Sequence, residues 1–300
     1  MSRSWLEARE RSNIFAIHFL VWIARFLGRR VARIVLVPVA AYFLIFGARA
    51  RAASREYLSR VLGHKPSLRE VFIHFYTFAT VALDRVYFLS DQWSSFDIRL
   101  HGEELLIEQV ERDKGCFLLG AHIGSFESLR SLGRQRAVTV NLVMFEENAN
   151  NVARVTRAIH PGLEQDVIAL GTPASMLRVI EQLDKGAWVG MLGDRAISDN
   201  ALVRVPFLGG TALFPAAPFR IAALTGRSVV LMLGLYRGKN RYDLHFETLV
   251  ESTTLPRAKR DQVLERWIRH YASRLEHYCR QAPFNWFNFF PFWSIDDDAD

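Results

Sequence analysis

Cys116-Phe117-Leu118-Leu119-Gly120-Ala121-His122-Ile123-Gly124-Ser125-Phe126-Glu127 is the stretch on which the fold turns. It opens on an uncharged apolar run of the length and character of a strand buried on both faces. A polar residue and a glycine follow, which permit a tight turn, and Ser125 has the chemistry of a helix N-cap. The segment therefore reads as strand, loop and helix start. Similar apolar runs recur at 138–144, 167–170, 187–193 and 229–235, with helical patterns between them at about 125–135, 147–160, 173–185 and 215–225. Thr172-Pro173 is a good helix start and Lys185-Gly186 a good stop. Strands separated by helices predict an α/β fold with a mixed, largely parallel central sheet flanked by helices. The last run, followed by 242–247, reads as an antiparallel hairpin around Gly238-Lys239-Asn240.

Outward from this core, residues 54–90 carry a helical pattern, with Leu68, Val71, Phe72, Phe75, Phe78, Ala79 and Ala82 at three- and four-residue steps after Pro66-Ser67. Near the other end, Leu264, Trp267, Ile268, Tyr271, Leu275 and Tyr278 share one helical face. Pro283-Phe284-Asn285-Trp286-Phe287-Asn288-Phe289-Phe290-Pro291-Phe292-Trp293 comes next. This aromatic stretch suits a hydrophobic tunnel, the closure of a core or a membrane interface, and its periodicity does not choose among them. Asp296, Asp297, Asp298 and Asp300 form a solvated tail.

Composition excludes several classes. With 50% hydrophobic and 23% charged residues, 18 Gly and 10 Pro in 300 residues, the chain is not disordered, collagen-like or low-complexity. Its two cysteines, Cys116 and Cys279, have no ligand-like spacing, so neither a disulfide framework nor a structural zinc site is indicated and a reducing compartment is the default.

A net charge of +7 asks for an acidic partner. Residues 1–60 hold eleven arginines against three glutamates, a balance of +8, so the excess is concentrated there. These arginines are interleaved with apolar residues, from Ile14 to Leu27 and again over the 13 uncharged residues 34–46. A helix needs about 20 apolar residues to span a bilayer, so the second run better suits a re-entrant, interfacial or buried helix, with Pro38 placed to bend it. Arginines interrupt any cleavable signal. The alternatives are two buried helices of a soluble protein and a membrane-surface anchor; arginine mixed with aromatics at headgroup depth favours the anchor. Nucleic-acid binding would instead place arginine, lysine and stacking aromatics in the core domain, so no nucleic-acid partner is expected.

For chemistry, His122 and Glu127 stand out. On one continuous helix they would point about 140° apart, so they meet only if His122 lies in the loop and Glu127 turns back from the first helical turn. Glu127 would then hold one imidazole nitrogen while the other accepts a proton from an attacking hydroxyl. The bland alternative is a satisfied polar residue at a strand end. Gly120-Ala121-His122-Ile123-Gly124 has the glycine spacing of a nucleophile elbow with His where Ser should stand, and no dinucleotide or phosphate loop follows any strand. Gly193-Asp194-Arg195 ends another strand, where α/β sites gather, although a structural salt bridge is the simpler reading. Val205-Pro206-Phe207-Leu208-Gly209-Gly210 and Phe214-Pro215-Ala216-Ala217-Pro218 read as a rigid apolar loop leading into a helix.

Taken in this order, His122 with Glu127, then Gly193-Asp194-Arg195, then Phe207-Leu208-Gly209 with Pro215, the motifs resemble those of the lysophospholipid acyltransferase superfamily, and more closely its bacterial late lipid A acyltransferase branch. Asp194-Arg195 stands where that branch commonly has Asp-Gln, and Trp286-Phe287-Asn288-Phe289-Phe290 differs from its usual arginine-rich ending. The chain looks like acyltransferases of aryl-polyene or other lipid-pigment pathways. The resemblance implies an enzyme of the bacterial inner membrane, on its cytoplasmic face, that moves an acyl chain from an acyl carrier protein or coenzyme A thioester to a hydroxyl or amine of a lipid or glycolipid acceptor. It implies a His122/Glu127 dyad as general base, Gly124, Asp194, Arg195, Phe207 and Gly209 at the substrate site, the oxyanion held by Arg195 or by backbone N–H groups near Gly124, an acyl carrier protein as partner, and no metal or organic cofactor. Residues 1–53 would be the membrane segment, 54–295 the catalytic domain and 296–300 the tail. A catalytically silent scaffold that binds lipid or carrier protein is the reading from another class; it assigns no role to His122 and Glu127.

Overall fold

The computed structural model describes residues 21–24, 26–111, 115–128, 132–133, 138–145, 156, 167–170, 172–195, 202–251 and 259–293. The helix expected at 147–160 lies outside these but for residue 156, and that expected at 125–135 is described in part, with 127–128 and 132–133 helical; the first twenty residues and the acidic tail lie outside as well.

The expected sheet is present. Strands β1 (Asp97–His101), β2 (Phe117–Gly120), β3 (Val140–Phe145), β4 (Val167–Leu170), β5 (Trp188–Leu192), β8 (Val229–Tyr236) and β9 (Arg241–Val250) form a seven-stranded sheet in the order β1-β9-β8-β2-β5-β3-β4. Every neighbouring pair is parallel except β8 and β9, which make the expected antiparallel hairpin. The central strands are buried on both faces, as their unbroken apolar sequences require. Alternate side chains serve two cores. Phe117, Leu119, Val229 and Leu231 join one cluster, while Cys116, Leu118, Val230 and Met232 join another. β1 was not anticipated; only Ile98 and Leu100 among its five residues are apolar, and it lies at the sheet edge.

A second departure concerns 202–215. Rather than a loop, these residues make a two-stranded antiparallel ribbon of β6 (Leu202–Phe207) and β7 (Gly210–Pro215). Leu208 and Gly209 turn it with φ of 49° and 74°, the doubly left-handed geometry that tight hairpins favour. Pro206 disguises the strand, yet in a ribbon with two edges its missing N–H is tolerated.

The pattern over 54–90 resolves into two helices. α1 (Gly28–Phe46) precedes α2 (Ala48–Leu62), which stops at left-handed Gly63, and α3 (Leu68–Leu89) begins with a capping box between Ser67 and Glu70. α1 runs on through Pro38, and the chain turns by 94° between α1 and α2 at Gly47. No single helix among the described residues is long and apolar enough to cross a membrane; α1 and α2 pass that test only as a bent pair. Ala32, Leu36 and Ala40, four residues apart, form the buried stripe of α1. Arg29 locks this packing, since its Nε and Nη2 donate to Asp84 of α3 at 2.6 and 2.7 Å while Tyr242 Oη donates to the same carboxylate at 2.7 Å. Asp84 is fully buried, so its charge depends on these partners.

Helices α4 (Glu103–Glu111), α5 (Pro173–Asp184) and α6 (Ala217–Thr225) flank the sheet, and α7 (Arg260–Gln281) buries Leu264, Ile268, Tyr271, Leu275 and Tyr278 as its periodicity predicts. The aromatic stretch that follows closes the core. Trp286, Phe287 and Trp293 are all buried, with Trp286 among the rings of Tyr57, Phe207, Phe292 and Trp293.

Candidate active site

β2 and β5 are adjacent and end in register, Gly120 beside Leu192. Two residues further along each strand stand His122 and Asp194, so sheet topology alone brings these side chains together. The ladder continues through the Gly193 N–H, which donates to the Gly120 carbonyl at 3.0 Å. Tyr271 Oη of α7 donates to the same carbonyl at 2.8 Å.

The loop after β2 is strapped on both sides. Ile123 bridges Trp286, with the Gly124 N–H donating to the Asn285 carbonyl at 2.9 Å and the Phe287 N–H to the His122 carbonyl at 2.8 Å. Asn285 is itself tied to β8, accepting from the Tyr236 N–H and donating to its carbonyl. On the other side Gly124 meets Gly234 of β8 at φ +60°, so close that a Cβ at 124 would lie 1.8 Å from the Gly234 oxygen. Only glycine fits there.

Asp194 is wholly buried and accepts three hydrogen bonds: from His122 Nδ1 at 2.8 Å, from the His122 N–H at 3.0 Å and from Trp286 Nε1 at 2.9 Å. Burial alone would raise its pKa; His122, Arg195 and the indole N–H outweigh that and hold the carboxyl below its ordinary range. An ionised carboxylate only accepts, so the proton of neutral His122 sits on Nδ1 and the lone pair on Nε2. Nε2 has no hydrogen-bond partner among the described residues, and the side chain is 32% exposed. Burial, helped by the charge of Arg195 and opposed by Asp194, pushes the imidazole pKa below its ordinary value. His122 is thus a neutral base with an open face at neutral pH.

The acid hydrogen-bonded to His122 is thus Asp194, not the one five residues away. Glu127 is buried with its Oε1 2.9 Å from Nε of Arg85 on α3, and the His122–Glu127 hydrogen bond is not formed. Chain spacing placed Glu127 near, but the Gly124 turn sends the two side chains to different partners. The Gly124 and Ser125 N–H groups are not open to an oxyanion, because Gly124 donates to the Asn285 carbonyl and Ser125 to the Gly234 carbonyl. The Ser125 hydroxyl does not cap a helix; it is buried without a partner among the described residues. Arg195 donates through Nη2 to the Phe287 carbonyl at 2.7 Å, and its guanidinium lies over the Phe290 ring at 5.2 Å. Its other N–H groups have no hydrogen-bond partner among the described residues. Phe207 is a fully buried core ring that reaches Asp194 by way of Trp286, and Gly209 is an exposed turn residue of the β6–β7 ribbon. Neither meets His122 directly.

Sequence reasoning assigned no site role to Arg85, Tyr271, Asn285 or Trp286. Asn285 and Asn288, polar residues buried among aromatics, were the available signal. Away from the site, His101, Asp243 and His245 bring ligand atoms within 4.8 Å of one another at the β1–β9 edge. Asp243 there already accepts from Arg237 and Arg241, whose charges oppose a cation.

A family model described as bacterial lipid A biosynthesis acyltransferase matches residues 3–294 of the chain. No curated protein matches it.

Proposed function

Since the chain belongs to the bacterial lipid A biosynthesis acyltransferase family, we propose that it transfers an acyl group from a thioester of acyl carrier protein or coenzyme A to a hydroxyl or amine of a membrane lipid or glycolipid, with His122 as general base. The observation that supports this most is the open Nε2 of His122, backed through Nδ1 by a buried, ionised Asp194. Nε2 takes the acceptor proton as the acceptor oxygen or nitrogen bonds to the thioester carbonyl carbon. Collapse of the tetrahedral intermediate breaks the carbon–sulfur bond, and the proton leaves with the thiolate as a thiol. Asp194 fixes the imidazole tautomer and stabilises the imidazolium that forms between these steps. Arg195, whose remaining N–H groups no described residue takes, holds the oxyanion or an acceptor phosphate. None of these steps calls for a metal or an organic cofactor. The basic N-terminal region suits an acidic carrier protein.

The test is direct. Purified protein given a radiolabelled acyl thioester and total membrane lipid should yield a labelled lipid, and lipid profiles of strains with and without the protein should differ by the same species. No labelled product from either the carrier-protein or the coenzyme A thioester would leave the scaffold reading standing.

We also propose attachment to the cytoplasmic face of the inner membrane without a full span. The support is the outer face of α1, where Ile34 and Phe46 are each about 70% exposed beside exposed Tyr42 and Ile45, together with exposed Trp22 and Phe26 just before it. Exposed Arg30, Arg49 and Arg55 suit an anionic surface. Apolar burial is not screened by salt, so a high-salt wash should leave the protein in the membrane fraction and detergent should extract it. Deleting residues 1–48 is no clean test, because it removes Arg29 and strands the buried Asp84. Phe26→Glu, Ile34→Glu and Phe46→Glu together spare that pair and should move the protein to the soluble fraction. Recovery of the unaltered chain without detergent would sink the proposal.

A further inference from the structure

His74 lies in the middle of α3 and is fully buried. Its Nε2 is 2.9 Å from the Trp286 carbonyl and its Nδ1 is 2.8 Å from Ser54 Oγ of α2. A carbonyl only accepts, so Nε2 carries the proton and Nδ1 accepts from the serine hydroxyl. Rings of Tyr57, Phe287 and Phe289 surround it. Burial lowers its pKa to about 4, so it remains neutral where the protein works. An imidazole in such a place is costly to desolvate compared with an apolar ring, and its one hydrogen bond beyond α2 among the described residues is to residue 286.

Residues 286 and 287 are also where the candidate site hangs. Trp286 Nε1 donates to Asp194, the Phe287 N–H donates to the His122 carbonyl, and the Phe287 carbonyl accepts from Arg195. The Asn288 N–H shares the Trp286 carbonyl with His74, at 2.9 Å, but it belongs to the same segment and cannot fix that segment against the helices.

We propose that His74 is a positioning residue for acyl transfer: by gripping the Trp286 carbonyl from α3 it holds the indole N–H on Asp194, and through Asp194 it sets the orientation of His122. This rests on the reading of His122 as the base.

Three substitutions test it. His74→Leu keeps bulk without a donor, His74→Gln retains an amide N–H for the carbonyl and an oxygen for Ser54, and Trp286→Phe keeps a ring without the N–H. In acyl transfer by folded protein, His74→Leu and Trp286→Phe should each lower kcat by about tenfold with KM little changed, the double variant should be no worse than about either alone, and His74→Gln should retain most of the parent rate. With one donor lost, Asp194 favours the imidazolium more, so the acid limb of the pH profile should move upward in both variants. The same movement should appear in an NMR titration of His122, which is read without turnover and so separates failure here from failure of the acyl-transfer reading. A His74→Leu protein that melts earlier but keeps the parent kcat per folded molecule and the parent His122 titration would overturn the proposal and leave His74 a core residue. A shift in Trp286→Phe with none in His74→Leu would overturn it equally, with Trp286 positioned by its own segment.

Discussion

Purified His122→Ala protein is expected to fold like the parent and to transfer acyl groups about 10²- to 10⁴-fold more slowly, the range typical of a positioned proton transfer. The fold should survive because the His122 contacts that strap the loop are made by its backbone, which Ala retains. What is lost is Nε2, the one imidazole nitrogen left open. The parent enzyme should also report this group in its pH dependence. Only neutral His122 can accept a proton, and its pKa lies below the ordinary value of about 6.5. The rate should therefore hold level through neutral pH and fall only as pH drops well into the acid range. Steady-state rates from pH 5 to 8, with circular dichroism on the same samples, check both points. A folded His122→Ala protein with near-parent activity would falsify the mechanism.

Asp194→Asn should cost about as much, on the order of 10³-fold, although it changes a single heavy atom. The carboxylate faces three donors: His122 Nδ1, the His122 N–H and Trp286 Nε1. An amide placed with its oxygen toward Nδ1 turns its NH₂ toward the other two, which also donate. The reverse placement puts NH₂ against the imidazole and forces the proton onto Nε2, where a lone pair is needed. Either way a buried donor is left without an acceptor. Glu127→Gln should lose much less, since its carboxylate pairs with Arg85 rather than with the base. Measuring kcat for the two amide variants side by side decides between the acids. A larger loss in Glu127→Gln would return the orienting role to Glu127.

The architecture was legible wherever a strand is buried on both faces. Uncharged runs such as Phe117–Gly120 and Val229–Tyr236 have few other uses, and Thr172-Pro173 and Lys185-Gly186 bound α5 within a residue. The edge strand β4 was legible from its apolar run, but β1 and the ribbon strand β6 were not. Asp97–His101 buries little, and in Leu202–Phe207 the proline masked what Gly209-Gly210 announced. At the site, His122 and Asp194 could each be named from their positions after a strand. Their pairing could not, because it depends on β2 lying next to β5, a fact of topology that one chain's spacing does not carry. Spacing favoured Glu127 because five residues along the chain is close, whereas seventy-two is not. Trp286 was hidden for another reason. Among so many aromatics nothing marked the one whose N–H is used rather than merely buried.

That the Asp194 carboxylate is completed by Trp286, 92 residues later in the chain, sets an order of events during synthesis. At about 5–20 residues per second, the ribosome needs on the order of ten seconds to pass from one to the other. The apolar helix α1 is by then long since translated. If α1 docks on the bilayer as proposed, the nascent chain is held there with its base and carboxylate made but not yet joined by the indole N–H. Arrest or cleavage anywhere between the two residues leaves a chain whose Asp194 lacks the indole donor.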